Sequence, residues 1–394
     1  MQSPDTVLRF LWSVGRQAES EFYLSLFQAE AKERFAAIAI DAPVIVERLD
    51  ALLLDLKLLR DLGLVPMVVL GILDSTESSK QASSLVEKLL QGGVDAQVLN
   101  YSFDALEVEP LAEQVRRLSR RGIFPVISLN LAPWTVGARF DVLRLLLDQL
   151  GTRKLIFLQR RGGVVVKGRL LGIVNLTNEL EGLRMSDEIT KKQKVILLEV
   201  RRLIEQLGHR CTVAITSPLN LLRELFTASG AGTLLRCSGI IRQFQSYADI
   251  DSKRLVDLLG SAFGRTLNNR LFDRAVSKIY LEKEYRGVAT VLQTPLGGYM
   301  SKFAVDREAQ GEGLGRDLWD ALIADWPALF WRSRAENPIN RWYNRECDGM
   351  VRSNPWQIFW RGLPIGEVPA AVSYAVEQPH DFSITANVDQ SSVL

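Results

Sequence analysis

Short apolar runs alternate with segments of helical length through the first third of this chain, and that alternation limits the folds open to it. Residues 35–45 are rich in Ile and Val and read as a strand. Residues 46–61 carry Leu49, Leu52, Leu53, Leu54, Leu56, Leu58 and Leu59, the pattern of a helix buried over a broad face. A strand at 64–73, a helix at 80–91, a strand at 95–100, a helix at 104–121 and a strand at 123–129 continue the series. Strands this apolar need cover on both faces, so the reading is an α/β fold with a mostly parallel sheet. The alternation resumes with a strand at 154–158, a small hairpin near 164–168, a helix over 187–207 and a strand at 212–215. Residues 6–30 read as helix in two turns split by Gly15.

The character changes near residue 250. Six of the eight tryptophans lie between Trp319 and Trp360, and the strands at 287–294 and 298–305 are longer and adjacent. A helix at 313–325, a strand at 328–334, a short helix at 340–346 and a strand at 356–361 follow. The length of 394 residues suits two or three domains. The expected division is a domain over 1–250, a second over 251–366, and a loose tail over 367–394 without sustained periodicity.

Composition excludes several functions. Lys plus Arg is 48 and Asp plus Glu is 46, a balance unlike that of a dedicated nucleic-acid binder. Cys211, Cys237 and Cys347 form no CxxC pair, which argues against a zinc ribbon or a disulfide framework. The two histidines, His209 and His380, cannot build a His-rich metal site, and His380 stands in a polar stretch. No metal is expected. The most apolar stretch is too short to span a bilayer at about 20 residues, so no membrane partner is expected and a cytoplasmic protein is the default.

The strongest local signal is Gly298-Tyr-Met-Ser-Lys-Phe-Ala-Val305 running into Gln310-Gly-Glu-Gly-Leu-Gly315 and then a helix. A helix N-terminus offers N–H groups without internal partners and a dipole that favours anions, and glycines allow close backbone approach. The spacing resembles the pyrophosphate loop of the GNAT acetyltransferases, which holds the diphosphate of acetyl-CoA. It is no Walker loop, since no Gly-Lys-Ser/Thr follows.

A longer, order-preserving pattern narrows the resemblance. Leu329-Phe-Trp-Arg-Ser-Arg-Ala-Glu-Asn-Pro-Ile-Asn340, Arg341-Trp-Tyr343 and Trp356-Gln-Ile-Phe-Trp-Arg-Gly-Leu363 resemble the acetyltransferase domain of the N-acetylglutamate synthases of the vertebrate, fungal and bifunctional bacterial type. Ser261-Ala-Phe-Gly-Arg-Thr-Leu267 fits the same family. Glu21–Phe27, residues 35–45, Ala214–Pro218 and Glu224–Arg236 resemble its amino-acid-kinase-like domain. The resemblance covers about residues 5–365. It implies an amino-acid-kinase-like three-layer domain with a mostly parallel sheet, followed by a GNAT α/β acetyltransferase domain.

Departures fall in the kinase-like half. Working kinases of this kind carry Lys-x-Gly-Gly at the first strand, and here the stretch is Ala39-Ile40-Asp41-Ala42. The second strand should end in a His-Gly-Gly-Gly-like loop, and here it ends Leu70-Gly-Ile-Leu-Asp74. Phosphoryl transfer needs a cation and backbone amides on the moving group. Asp41 and Asp74 would repel phosphate, so the kinase activity is expected to be lost.

The resemblance implies acetyl transfer from acetyl-CoA to the α-amine of L-glutamate. Gln310, Gly311, Gly313 and Gly315 would anchor the diphosphate, and the backbone of Phe303, Ala304 and Val305 would pair with the pantetheine arm and polarise the thioester carbonyl. Tyr343 would protonate the leaving thiolate. Lys302, Arg265, Asn337, Arg332 and nearby Tyr299 would contact substrate, with Arg334 a further cation. No clear carboxylate or histidine base is visible, which leaves an ordered water. Ser301 stands where relatives often have an acid. The resemblance also implies L-arginine as an effector, a homo-oligomer (dimer or tetramer) and a role for Phe22-Tyr23 in both. Two other readings stand beside this one: another amino acid as acceptor, and a non-catalytic subunit that pairs with a separate acetylglutamate kinase.

Overall fold

The computed structural model describes residues 12, 13, 15, 17–74, 76–101, 108–129, 135–227, 230–267, 271–272 and 275–379. Residues 6–11, which open the expected N-terminal helix, and His380 with the rest of the expected tail lie outside them. The chain forms two compact units that divide between Ser238 and Gly239.

The first unit is built on an eight-stranded sheet. Its strands are β1 (Ala37–Ile40), β2 (Met67–Leu70), β3 (Ala96–Tyr101), β4 (Phe124–Leu129), β5 (Lys154–Leu158), β8 (Ile173–Asn175), β9 (Thr212–Thr216) and β10 (Thr233–Arg236), in the order β3-β4-β2-β1-β5-β9-β10-β8. Every pairing is parallel except β9 with β10. The hairpin read at 164–168 is β6 (Val165–Val166) with β7 (Arg169–Leu170).

Period-two alternation sorts the strand side chains into two cores. Ala37, Ala39, Met67, Val69, Leu155 and Phe157 face one layer. Ile38, Ile40, Val68, Leu70, Ile156 and Leu158 face the other. Helices α1 (Gln17–Ala29), α2 (Ala42–Glu47), α3 (Leu49–Asp61), α4 (Ser78–Gln91) and α9 (Leu221–Phe226) cover the second face. Helices α5 (Val108–Arg120), α6 (Val136–Leu150), α7 (Leu180–Met185) and α8 (Lys191–Gln206) cover the first. Each fully buried Ile, Leu or Phe stabilises this arrangement by about 1.5–3 kcal/mol. Local signals agree with it. Thr190 and Gln193 close a capping box at the start of α8, and Gly151 ends α6 in the left-handed region.

The second unit holds a seven-stranded sheet. Its strands are β11 (Ile241–Phe244), β12 (Lys278–Glu282), β13 (Gly287–Thr294), β14 (Gly297–Val305), β15 (Leu329–Arg334), β16 (Gly349–Ser353) and β17 (Trp356–Arg361). The order is β11-β12-β13-β14-β15-β17-β16, and only β14 and β15 run parallel. Helices α11 (Leu314–Asp325) and α12 (Asn340–Glu346) pack on one face, where Trp319, Trp331, Tyr343 and Phe359 form the core. Helices α10 (Ser252–Phe263) and α13 (Val368–Glu377) pack on the other.

Two boundaries differ from the sequence reading. The second unit begins at Gly239 rather than near 251, because β11 adds an edge strand to its sheet through β12. The expected loose tail from 367 starts instead as helix α13, which buries Ala371 and Ala375 against Tyr299, Phe330 and Ile358.

Candidate active site

The unusual feature of the second sheet lies at its one parallel pair. β14 pairs with β15 only from Gly298 to Met300, opposite Leu329 to Trp331. On its other side β14 stays paired with β13 as far as Val305. The register slips between Thr290 and Val291: Lys302 faces Thr290 and Met300 faces Val291, so Ser301 is one residue too many. A bulge bends its strand and ends pairing. Beyond it β14 and β15 part, and the backbone of residues 301–305 has no ladder partner from β15. Buried amides and carbonyls require partners, so this wedge suits a ligand that brings its own amide groups.

The glycine loop follows at the open end. Gly311 has φ +86° and Gly313 φ +81°, a backbone that side-chain-bearing residues rarely adopt. Gly313 is the N-cap of α11, and Arg316 and Asp317 donate their N–H to its carbonyl. The first N–H groups of the helix are thereby left for an anion. The Gln310 side chain donates to the Val305 carbonyl at 3.4 Å, which ties the loop to the end of β14. Glu312, between the two glycines, pairs with Arg286 at 2.8 Å.

Tyr343 lies beneath the wedge. Its ring packs on Phe303 of β14 at 6.4 Å and on Trp331 of β15 at 5.3 Å, so it touches both diverging strands. It is buried, and burial pushes its phenol above the ordinary value. The group is neutral at neutral pH, the state that can donate a proton. No hydrogen bond reaches its hydroxyl among the described residues.

Lys302 is buried beside the bulge, and its Nζ donates to the Ser301 carbonyl and hydroxyl, each at 3.2 Å. Asn337 sits half-buried in the turn between β15 and α12, where its Oδ1 accepts from the Ile339 N–H at 3.3 Å. Asn340, which the sequence reading passed over, fixes that turn. Its Nδ2 donates to the carbonyls of Arg334 at 2.7 Å and Ala335 at 3.2 Å. Trp342 is a second omission: it stacks on Phe303 at 5.5 Å and 24°. An Asn just after Pro-Ile and an aromatic beside Tyr343 are visible in the sequence, but their contacts depend on how β14 and β15 part.

Three expected substrate contacts are placed elsewhere. Arg332 donates to the carbonyls of Ala375, Val376 and Pro379 and stacks on Trp356 at 4.1 Å. Its guanidinium caps the C-terminus of α13, where a cation is favoured. Tyr299 faces the same side and packs on Phe330 at 5.3 Å and Tyr374 at 5.4 Å, away from Tyr343. Arg265 is exposed just past the left-handed Gly264 that ends α10, and no hydrogen bond or ion pair joins it to the other candidates. Strand alternation explains the first two: Tyr299, Phe330 and Arg332 belong to the face opposite Met300, Trp331 and Tyr343.

In the first unit, the ends of β1 and β2 carry the departures from a kinase. Asp41 forms an ion pair with Lys192 at the start of α8. Asp74 accepts the Thr76 N–H at 3.1 Å, and the hydrogen bonds from Thr76, with Lys192 and Arg139 nearby, hold its carboxyl below the usual range. Arg139 donates to the Ile72 and Leu73 carbonyls. No helix among the described residues is long and apolar enough to cross a membrane.

The relatives agree with this geometry. Residues 241–378 match the family model of the N-acetyltransferase domain of N-acetylglutamate synthase. Acetylglutamate kinase of Xanthomonas campestris is 31% identical over 86% of this chain and 93% of its own. The mitochondrial N-acetylglutamate synthase of Homo sapiens is 29% identical over 92% of this chain and 76% of its own. The structure of N-acetylglutamate synthase from Neisseria gonorrhoeae, complexed with coenzyme A and L-arginine, superposes with a TM-score of 0.53 at 15% identity, over 87% of this chain and 97% of that one. That likeness is one of fold. The kinase-named and synthase-named relatives both align along most of the chain, and the chain belongs to their family, in which an amino-acid-kinase-like domain precedes the acetyltransferase domain of N-acetylglutamate synthase.

Proposed function

We propose that this protein is an N-acetylglutamate synthase, which transfers acetyl from acetyl-CoA to the α-amine of L-glutamate, and that its kinase-like unit no longer transfers phosphate. The observation that carries the reading is the wedge between β14 and β15, with the glycine loop at its mouth and Tyr343 against both strands. Gln310, Gly311, Gly313 and Gly315 hold the diphosphate. The backbone of Phe303, Ala304 and Val305, paired with β13 but not with β15, binds the pantetheine arm and polarises the thioester carbonyl.

The amine nitrogen attacks that carbonyl carbon, and a water takes the proton it sheds. Negative charge develops on the carbonyl oxygen, where backbone N–H groups stabilise it. The carbon–sulfur bond then breaks, and the thiolate takes the proton of the Tyr343 hydroxyl, which solvent later restores. Glutamate brings two carboxylates. Lys302 and Asn337 are assigned to them; Arg334, like Arg332, rests on Trp356, at 4.5 Å, on the other face of β15. The cytoplasm is the assigned compartment. Arginine is assigned as an effector, the protein as a homo-oligomer and a separate acetylglutamate kinase as its partner; inhibition curves and sedimentation test these assignments.

The test is thiol release from acetyl-CoA with each amino acid in turn. Release that depends on glutamate supports the reading; release with another acceptor replaces glutamate, and none with any acceptor leaves a regulatory subunit. The kinase-named relatives favour a second activity, phosphorylation of N-acetylglutamate. The Asp41–Lys192 pair and Asp74 oppose it. ADP formation from ATP and N-acetylglutamate would establish it.

A further inference from the structure

The loop assigned to the diphosphate contains a carboxylate. Of residues 310–315 only Glu312 is acidic, and it stands between Gly311 and Gly313, one residue before the N-cap of α11. An anion there opposes the purpose of the loop unless something offsets it. Arg286 is that something. Its Nη2 lies 2.8 Å from Glu312 Oε2, and both side chains are mostly shielded, at 23% and 18% exposure.

Arg286 is held firmly for this task. Its backbone N–H donates to Glu282 Oε2 at 3.2 Å, and its carbonyl accepts from the Asp306 N–H at 2.8 Å. It immediately precedes Gly287, where a Cβ would meet Leu318 at 2.7 Å and Leu314 at 3.1 Å. The first turn of α11 therefore seats directly against the start of β13, with the guanidinium at its edge. The Arg286 Nε is buried and has no hydrogen-bond partner, so this cation is incompletely satisfied by the protein alone.

We propose that Arg286 and Glu312 together set the affinity for acetyl-CoA: Arg286 supplies positive charge to the diphosphate, and Glu312 draws off part of it. The inference rests on the acetyl-CoA reading of the loop. A partly exposed ion pair contributes little to stability, so a merely structural pair would leave small effects of one sign. Charge compensation gives effects of opposite sign. Removal of Arg286 leaves Glu312 to repel the phosphates, whereas Glu312→Gln keeps an acceptor for Arg286 and frees its charge.

The experiment measures acetyl-CoA binding by tryptophan fluorescence, and acetyl-CoA and glutamate KM by thiol release. For Arg286→Ala, acetyl-CoA KM and Kd should rise by about fivefold or more, the scale of one charge acting at partly screened range. For Glu312→Gln both should fall, with a steeper dependence on salt. The double variant should return to near the parent value, and glutamate KM should follow neither change. Equal signs for the two single variants, or an effect confined to glutamate KM, would overturn the proposal. Melting curves exclude a folding defect, and Glu312→Gln carries the test if Arg286→Ala does not fold. Dephospho-acetyl-CoA, which keeps the diphosphate, should reproduce the pattern; its loss there would move the interaction to the 3′-phosphate and overturn the diphosphate assignment. If the unaltered protein binds no acetyl-CoA, the functional reading fails first, and the two failures are distinct.

Discussion

At the ends of β1 and β2 the first unit presents Asp41 and Asp74; after β14 the second presents Gly311 and Gly313. The two places are alike in kind, since both follow parallel strands and precede helices, where anions bind well. Their chemistry is opposite. In the first unit the carboxylates are matched by Lys192 and by local N–H groups, and the site is closed on itself. In the second the backbone beyond the bulge has no ladder partner on the β15 side. A sheet buried on both faces is held by side chains such as Ile38, Val69 and Phe157, none of which belongs to a phosphate site. Such a sheet does not depend on the chemistry at its strand ends, and function has to be argued from the site.

The largest effect should come from the second unit. Tyr343→Phe keeps the ring against Phe303 and Trp331 and removes only the proton donor. Loss of a general acid costs roughly 10²–10⁴ in rate. We expect kcat for thiol release to fall by that order with little change in melting temperature. A kcat within threefold of the parent would remove Tyr343 from the mechanism and weaken the contrast between the units.

The first unit should respond in stability. Asp55 of α3 is buried among leucines, its Oδ2 has no partner, and burial pushes its carboxyl up to about 7. The folded state thus prefers the protonated form more than the unfolded state does. Its contribution is complete below about pH 4 and is lost as pH rises to about 7, a change of order 4 kcal/mol at most. Asp55→Asn should abolish this slope and raise stability at pH 8, as read by denaturant unfolding at several pH values. An unchanged slope would show that another group is responsible.

A smaller effect is expected at Gly313. Alanine at φ +81° costs about 1–2 kcal/mol. If that strain falls on the loop, acetyl-CoA KM should rise by about tenfold while glutamate KM does not. A change in glutamate KM alone would detach the loop from the cofactor.

Legibility differed between the units for physical reasons. Parallel strands of the first are near-continuous apolar runs, so their order along the chain reads directly. In the second, the glycine loop and the helices at 314–325 and 340–346 were equally plain. The edge strand β11 was not, because in Ile-Arg-Gln-Phe only the two end residues are half-buried and they do not alternate with the exposed pair between them. Helix α13 is a run of small apolar residues with no charged face to give a period. Arg332 and Tyr299 were assigned by neighbourhood in sequence, and only the faces of β14 and β15 separate them from Tyr343. The extra residue at Ser301 depends on pairing with β13, which a single strand does not record.

The smallest predicted effect bears most directly on what the first unit has become. If Asp41 and Lys192 are a remnant that still helps phosphate chemistry, Lys192→Met should alter some activity. If they are a structural pair, it should alter only stability. The Asp41 side chain is 9% exposed and that of Lys192 37%, so the pair is asymmetric: the acid is shielded, the base is not. Removal of Lys192 leaves a shielded carboxylate without its cation, and a loss of roughly 1 kcal/mol follows for a pair that solvent partly screens. Asp41→Asn in the same background should recover most of it, because the stranded charge is then gone. Thermal unfolding of the two variants, with thiol release measured alongside, decides between the two. Lower stability restored by Asp41→Asn, with acetyl transfer unaltered, makes the old phosphate end of β1 a part of the scaffold. A change in transfer rate without a change in stability would instead tie that strand end to the chemistry of the second unit.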